Sequence, residues 1–109
     1  MPSIDSLVRE LRRSPNRYLE FLRVPAMSVG VYVLAAGAVD TQSPHSEDEV
    51  YYVVRGRGKL QRGSEELAAN PGDVLFVPAL QPHRFHSIDE ELVLLVVFAP
   101  AEGSARKRG

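Results

Sequence analysis

A succession of short β-type segments begins at residue 18, and it constrains the fold of this chain more than any other feature. Turn residues separate the segments: Asn70–Asp73 fits a type II turn in which Pro71 presets φ and Gly72 takes a positive φ. We also interpret Gly56-Arg57-Gly58 as a hairpin turn. Many short strands at near-regular spacing are typical of an antiparallel sandwich or barrel. The eight predicted segments are Tyr18–Val24, Met27–Leu34, Glu49–Val54, Gly58–Arg62, Glu65–Ala68, Val74–Val77, His83–Ser87 and Leu92–Phe98.

One short helix precedes the strands. Apolar residues at i, i+3, i+4 and i+7 form a single face, and Ser3 is placed to cap the first turn. The sequence Ser-Pro-Asn at residues 14–16 ends the helix. We therefore expect a helix and linker over residues 1–16, a β-barrel over 17–100, and a disordered tail over 101–109. The apolar positions of the helix are Ile4, Leu7, Val8 and Leu11.

Alternation along the third segment assigns its faces. If Glu49 points into the barrel, Tyr51 and Val53 do so as well, because successive side chains of a strand point to opposite faces. The opposite face then carries three large apolar side chains, and Leu92–Phe98 is apolar on both faces. Such a surface must be covered, so we predict a homodimer in which the N-terminal helix covers part of the remainder. The outward residues are Val50, Tyr52 and Val54.

Composition narrows the classes of function. A chain of 109 residues with 44% hydrophobic and 25% charged residues fits one globular domain. A net charge of −1 gives no reason to expect nucleic acid. The absence of cysteine excludes disulfides and thiolate ligands within this sequence. The longest apolar run, Leu92–Pro100, is too short to span a membrane, and the N-terminus lacks a signal pattern, so we expect a cytoplasmic protein.

Three side chains suggest a site for a divalent metal. His45 and Glu49 lie four residues apart at the start of one strand, and His83 begins another. Two imidazoles and a carboxylate from neighbouring strands form a donor set suited to divalent metals. The alternative is a hydrogen-bonded His–Glu cluster without an ion, because a protonated histidine would satisfy Glu49. Gln42 and Glu47 are candidates for a fourth ligand, and Tyr51 is a candidate donor to a ligand or a packing residue.

The spacing of these residues resembles the two sequence motifs of the cupin superfamily, specifically small single-domain proteins of the cupin_2 type. Two departures stand out: Ser43 replaces the first motif's first histidine, and Leu80 replaces the second motif's inner glycine. The resemblance implies an all-β fold, an antiparallel jelly-roll β-barrel, here with a short N-terminal helix. The matching positions are His45, Glu49 and Gly56 in the first motif and Gly72, Pro78 and His83 in the second.

The resemblance also implies a function. His45, Glu49 and His83 would form a two-histidine, one-carboxylate set for Fe, Mn, Ni or Zn, with positions left open for a small oxygen-bearing molecule. A metal-dependent dioxygenase, isomerase or decarboxylase would use such a site. The alternative is a non-catalytic cupin that binds a small ligand or acts as a sensor, with or without metal; the sequence does not decide whether the protein is an enzyme.

Overall fold

The structure is a computed structural model, and it describes residues 2–105. Helix α1 spans Ile4–Arg12 and begins at Ser3, whose side chain accepts a hydrogen bond from the Ser6 amide at 3.1 Å. This confirms the predicted helix and its cap. Six strands follow: β1 (Tyr18–Val24), β2 (Met27–Leu34), β3 (Asp48–Arg62), β4 (Glu65–Ala69), β5 (Val74–Val77) and β6 (His83–Ala99).

All strand pairings are antiparallel, as predicted for a jelly roll. The strand order is β1-β2-β6-β3-β4, and β5 pairs with β3 beside β4. β1 and β4 end this path, so backbone pairing does not close the sheet into a continuous ring. The predicted turn between β4 and β5 is confirmed, because Gly72 has a φ of 91° and the Asp73 amide donates to the Asn70 carbonyl at 3.0 Å.

Two predicted strand breaks are wrong. The segment Gly56–Gly58 is not a hairpin turn: β3 continues through it and stays paired with β6, with register shifts between Val53 and Lys59. The predicted segments His83–Ser87 and Leu92–Phe98 are likewise one strand, β6. Extra residues at such bulges bend a strand without ending it. Both halves of these long strands therefore face one core, which includes Tyr51 from one half of β3 and Leu60 from the other.

The predicted faces of β3 are confirmed. Glu49, Tyr51 and Val53 are buried, whereas Tyr52 is exposed. Helix α1 covers one part of the outer sheet face, where Leu7, Val8 and Leu11 pack against Val31 and Val93. Around Tyr52, no described part of the chain covers this face, and Tyr52 and Val74 are exposed.

The segment 101–105 differs from the predicted disordered tail. The chain turns there, and Ala101 is buried. The Glu102 amide donates to Ser28 Oγ at 2.9 Å, and the Gly103 amide donates to Glu47 Oε1 at 2.9 Å. These hydrogen bonds order the segment, while residues 106–109 lie outside the described part of the chain. Within residues 2–105, no helix has the length and apolar character needed to cross a membrane.

Candidate functional site

A cavity of about 130 Å³ lies on the inner face of the sheet. β3 contributes Glu49 and Tyr51, and the loop between β2 and β3 contributes Gln42 and His45. Four of the residues selected from the sequence therefore meet at one cavity. Its other lining residues are Tyr18, Tyr32, Val96, Phe98 and Glu102.

Glu49 and His83 form the buried centre of the site. Glu49 Oε1 lies 3.2 Å from His83 Nε2, and the two side chains are 2% and 1% exposed. Nevertheless, no group among residues 2–105 donates a hydrogen bond to Oε1. A buried carboxylate oxygen that accepts no hydrogen bond lowers the stability of the folded protein. A partner bound to this atom would therefore be stabilising.

The hydrogen bond at the other ring nitrogen, Nδ1, fixes the tautomer of the neutral His83 ring. Its Nδ1 lies 2.8 Å from the Gln81 carbonyl oxygen, which can only accept, so Nδ1 carries the proton. In the neutral ring, Nε2 therefore presents a lone pair toward Glu49. Burial opposes the charged ring, but the Glu49 carboxylate and the Gln81 carbonyl outweigh burial and raise the pKa of His83.

Tyr51 lies against both residues of this pair. Its hydroxyl donates to Gln42 Oε1 at 3.1 Å and lies 3.2 Å from His83 Nε2. Burial, with the charge of Glu49 in addition, raises the pKa of Tyr51 well above its ordinary value, so the phenol keeps its proton. The residue both packs the core and offers a donor at the cavity wall, which are the two roles considered from the sequence.

His45 is the third predicted ligand, and it lies at the edge of the pair. Its ring centroid is 6.2 Å from that of His83, and its Nε2 is 3.4 Å from Gln42 Oε1. Its Nδ1 is 3.4 Å from Glu102 Oε2. Its carbonyl accepts from the Leu80 amide at 2.7 Å, which connects the two motif loops, and Leu80 itself has a φ of 65°.

The two candidates for a fourth ligand lie in different places. Gln42 faces the cavity, where Asp40 Oδ2 accepts from its side-chain nitrogen at 2.8 Å. Glu47 is buried, but its carboxylate accepts hydrogen bonds from Ser46 and from the amides of Gly103 and Ala105. Burial alone would raise the pKa of Glu47; these hydrogen bonds outweigh it and lower the pKa. Glu47 therefore stabilises the turn at residues 102–105.

Two residues that line the cavity were not among the candidates from the sequence. Tyr18 has a buried hydroxyl that forms no hydrogen bond with the described residues, and burial is the main cause that raises its pKa. The pKa of Glu102 is also raised by burial, although His45 opposes the shift. Neither residue lies in a motif, and no local spacing connects them to His45 or Glu49. As placed, no three His, Cys, Asp or Glu side chains among residues 2–105 form a group that could hold a metal ion by themselves.

Comparison with known proteins identifies the family. The profile of the Cupin domain family matches residues 30–98, so the chain belongs to the cupins. An uncharacterized protein of Streptomyces coelicolor is 48% identical over 99 residues, which cover 91% of this chain and 94% of the relative.

Solved structures share the fold. A structure from Thermus thermophilus has a TM-score of 0.74 at 27% identity, with 93% of this chain and 97% of that chain covered. The DMSP lyase DddQ from Ruegeria pomeroyi has a TM-score of 0.68 at 21% identity, with 76% of this chain and 47% of the lyase covered. These similarities confirm the predicted cupin fold.

Proposed function

We propose that this cupin binds a divalent metal ion through His45, Glu49 and His83 and holds a small oxygen-bearing molecule in its cavity. The observation that carries the proposal is that Glu49 Oε1 accepts no hydrogen bond from the described residues and lies 3.2 Å from His83 Nε2. Two ligand atoms that share an ion at about 2.0–2.2 Å lie roughly 3 to 3.5 Å apart. The separation of 3.2 Å between Oε1 and Nε2 falls in this range.

The surroundings of His83 support the same proposal. A metal-binding histidine usually donates its other ring N–H to a carbonyl or carboxylate, which fixes the ring and its tautomer. The Gln81 carbonyl does this for His83. When bound, the ion would act as a Lewis acid toward an oxygen of the ligand. Nitrogen and oxygen donors of this kind suit Fe, Mn, Ni and Zn.

Tyr18 supports an oxygen-bearing ligand. Its buried hydroxyl lines the cavity and has no hydrogen-bond partner in the described part of the chain. It keeps its proton because burial raises its pKa. A donor of this kind pairs with an acceptor oxygen on a ligand. The cavity of about 130 Å³ limits that ligand to a small molecule. One protein that shares the fold is an enzyme, the DMSP lyase DddQ, so the fold is compatible with enzymatic activity at such a site.

Titration calorimetry tests the metal proposal. Metal-stripped protein titrated with Mn²⁺ or Ni²⁺ should bind the ion, and His83→Ala should weaken binding by at least about 100-fold, because loss of an outer partner alone costs about 10–100-fold. His86→Ala is the matched control: His86 lies on the same strand but contacts Glu66 at 3.0 Å, outside the cavity. Unchanged affinity in His83→Ala would show that the ligands are assigned wrongly.

We also propose that the uncovered outer face of the sheet forms a homodimer interface. Tyr52 pairs in register with Val74 and Leu95, and Val50 pairs with Phe76, so apolar side chains of three strands lie side by side. Tyr52, Val74 and Phe76 are exposed. A contiguous apolar surface of this kind is characteristic of an interaction site.

A matched pair of substitutions tests the dimer. Val74→Asp should weaken dimerisation by roughly 10–100-fold, because an unpaired carboxylate would be buried at the interface. Val39→Asp is the control, since Val39 is 65% exposed against 66% for Val74 but lies outside the sheet. Size-exclusion chromatography with light scattering at micromolar concentration measures the result. Monomeric wild-type protein would contradict the proposal.

A further inference from the structure

A turn near the end of the described chain is fixed by a buried carboxylate that the proposed metal site does not use. Glu47 is 2% exposed, and its two oxygens accept from the Gly103 amide at 2.9 Å and the Ala105 amide at 3.1 Å. Burial of a charge is tolerated here because backbone donors satisfy it. The result is a rigid attachment of residues 102–105 beside the cavity.

The backbone of Glu102 is held from both sides within this turn. Its amide donates to Ser28 Oγ at 2.9 Å, and its carbonyl accepts from Arg23 Nη2 at 2.6 Å. These two hydrogen bonds fix the position of the Glu102 backbone. The Glu102 side chain lines the cavity and reaches His45, with Oε2 3.4 Å from Nδ1.

Both histidines of the site have an acceptor oxygen near Nδ1. The Gln81 carbonyl accepts from His83 at 2.8 Å, and Glu102 Oε2 forms an ion-pair contact with His45 Nδ1 at 3.4 Å. A proton held at Nδ1 leaves the lone pair of the neutral ring on Nε2. His45 Nε2 lies at the cavity, 3.4 Å from Gln42 Oε1, an acceptor that a metal ion at Nε2 would replace as the partner of this nitrogen.

We propose that Glu102 is a positioning residue: the turn anchored by Glu47 brings its carboxylate to His45 Nδ1, which orients the ring and presents Nε2 to the metal. This inference rests on the proposed metal-binding function. Glu102 acts through His45 and not as a ligand. The orientation of the His45 ring thus depends on a segment distant in sequence. This segment lies outside the residues 30–98 that match the family.

Metal affinity measures the effect of the carboxylate. Glu102→Ala should weaken Mn²⁺ binding by about 10–100-fold, the usual effect of removing a partner that orients a metal-binding histidine. Glu102→Gln should restore part of the affinity, because its amide oxygen can still accept from Nδ1. The matched control is Glu66→Gln, which alters a glutamate paired with a histidine outside the cavity. Affinity of Glu102→Ala within twofold of the wild type would overturn the proposal.

A measurement without metal separates this inference from the proposed function. Nitrogen NMR of the metal-free protein should show the proton on Nδ1 of the neutral His83 ring, and Glu102→Ala should change the ring-nitrogen signals of His45 alone. Amide exchange at Gly103 and Ala105 should stay slow in that variant, because Glu47 still accepts from both amides. Wild-type protein that binds no metal but shows this change would refute the metal function and retain the positioning role. An unchanged His45 ring would refute the positioning role.

Discussion

Replacement of Gly56 by alanine should lower the free energy of unfolding by about 3 kcal/mol. Gly56 has a φ of 96°, a conformation that costs a residue with a Cβ roughly 1–2 kcal/mol. A Cβ at this position would also lie 2.0 Å from the Glu91 carbonyl oxygen. Because that neighbour is backbone of the paired strand β6, relief requires the two strands to separate, and overpacking of this kind costs about 1–3 kcal/mol.

Gly72→Ala is the matched control for this prediction. Gly72 has a φ of 91°, yet no heavy atom of residues 2–105 lies within 4 Å of a Cβ built on it. This substitution retains the backbone strain without the clash, so we expect a loss of about 1 kcal/mol. Urea unfolding of both variants measures the difference. Equal losses for the two glycines would show that β3 and β6 do not approach as closely as described at the bulge.

Metal binding should raise the melting temperature by roughly 10–20 °C. An ion that binds only the folded protein at about 100 times its Kd contributes about 2.7 kcal/mol. For a domain of this size, each kcal/mol shifts the melting temperature by about 4–8 °C. Addition of Mn²⁺ or Ni²⁺ to metal-stripped protein should therefore produce a large shift in differential scanning calorimetry, and EDTA should reverse it.

Glu49→Gln tests whether Glu49 and His83 form a metal site or a hydrogen-bonded cluster without an ion. In a metal site, the amide removes one ligand charge, so the metal-induced shift should disappear. Glu66→Gln, which lies at an exposed ion pair, should keep the full shift. If Glu49 and His83 instead form a self-contained cluster, no metal shift exists in the wild type, and Glu49→Gln lowers the melting temperature of the metal-free protein.

Local rules predict the faces of β3, the turn between β4 and β5, and the helix, because these features depend on neighbouring residues. Alternation places Glu49 and Tyr51 inward and Tyr52 outward, as the structure has them. The Asn70–Asp73 turn follows from the fixed φ of Pro71 and the positive φ of Gly72. The family motifs add the fold, because their spacing selects one arrangement of strands among those that alternation allows.

Features that depend on tertiary contact could not be predicted in this way. A glycine pair such as Gly56 and Gly58 indicates a turn, yet here the chain passes through a bulge because β6 pairs along it. Glu47 is one of two sequence candidates for a fourth ligand, but it precedes β3, where alternation does not assign its direction. Glu102 reaches His45 through a turn that only the hydrogen bonds to Glu47 define.

The stoichiometry of bound metal in the purified protein tests the central claim most directly. Elemental analysis after equilibration with Mn²⁺ or Ni²⁺ and gel filtration should find about one ion per chain, since one pair of donors, Glu49 Oε1 and His83 Nε2, forms the centre of the site. The same treatment of His83→Ala should leave almost none. A wild-type protein that retains no ion, or a variant that retains as much as the wild type, would contradict the account.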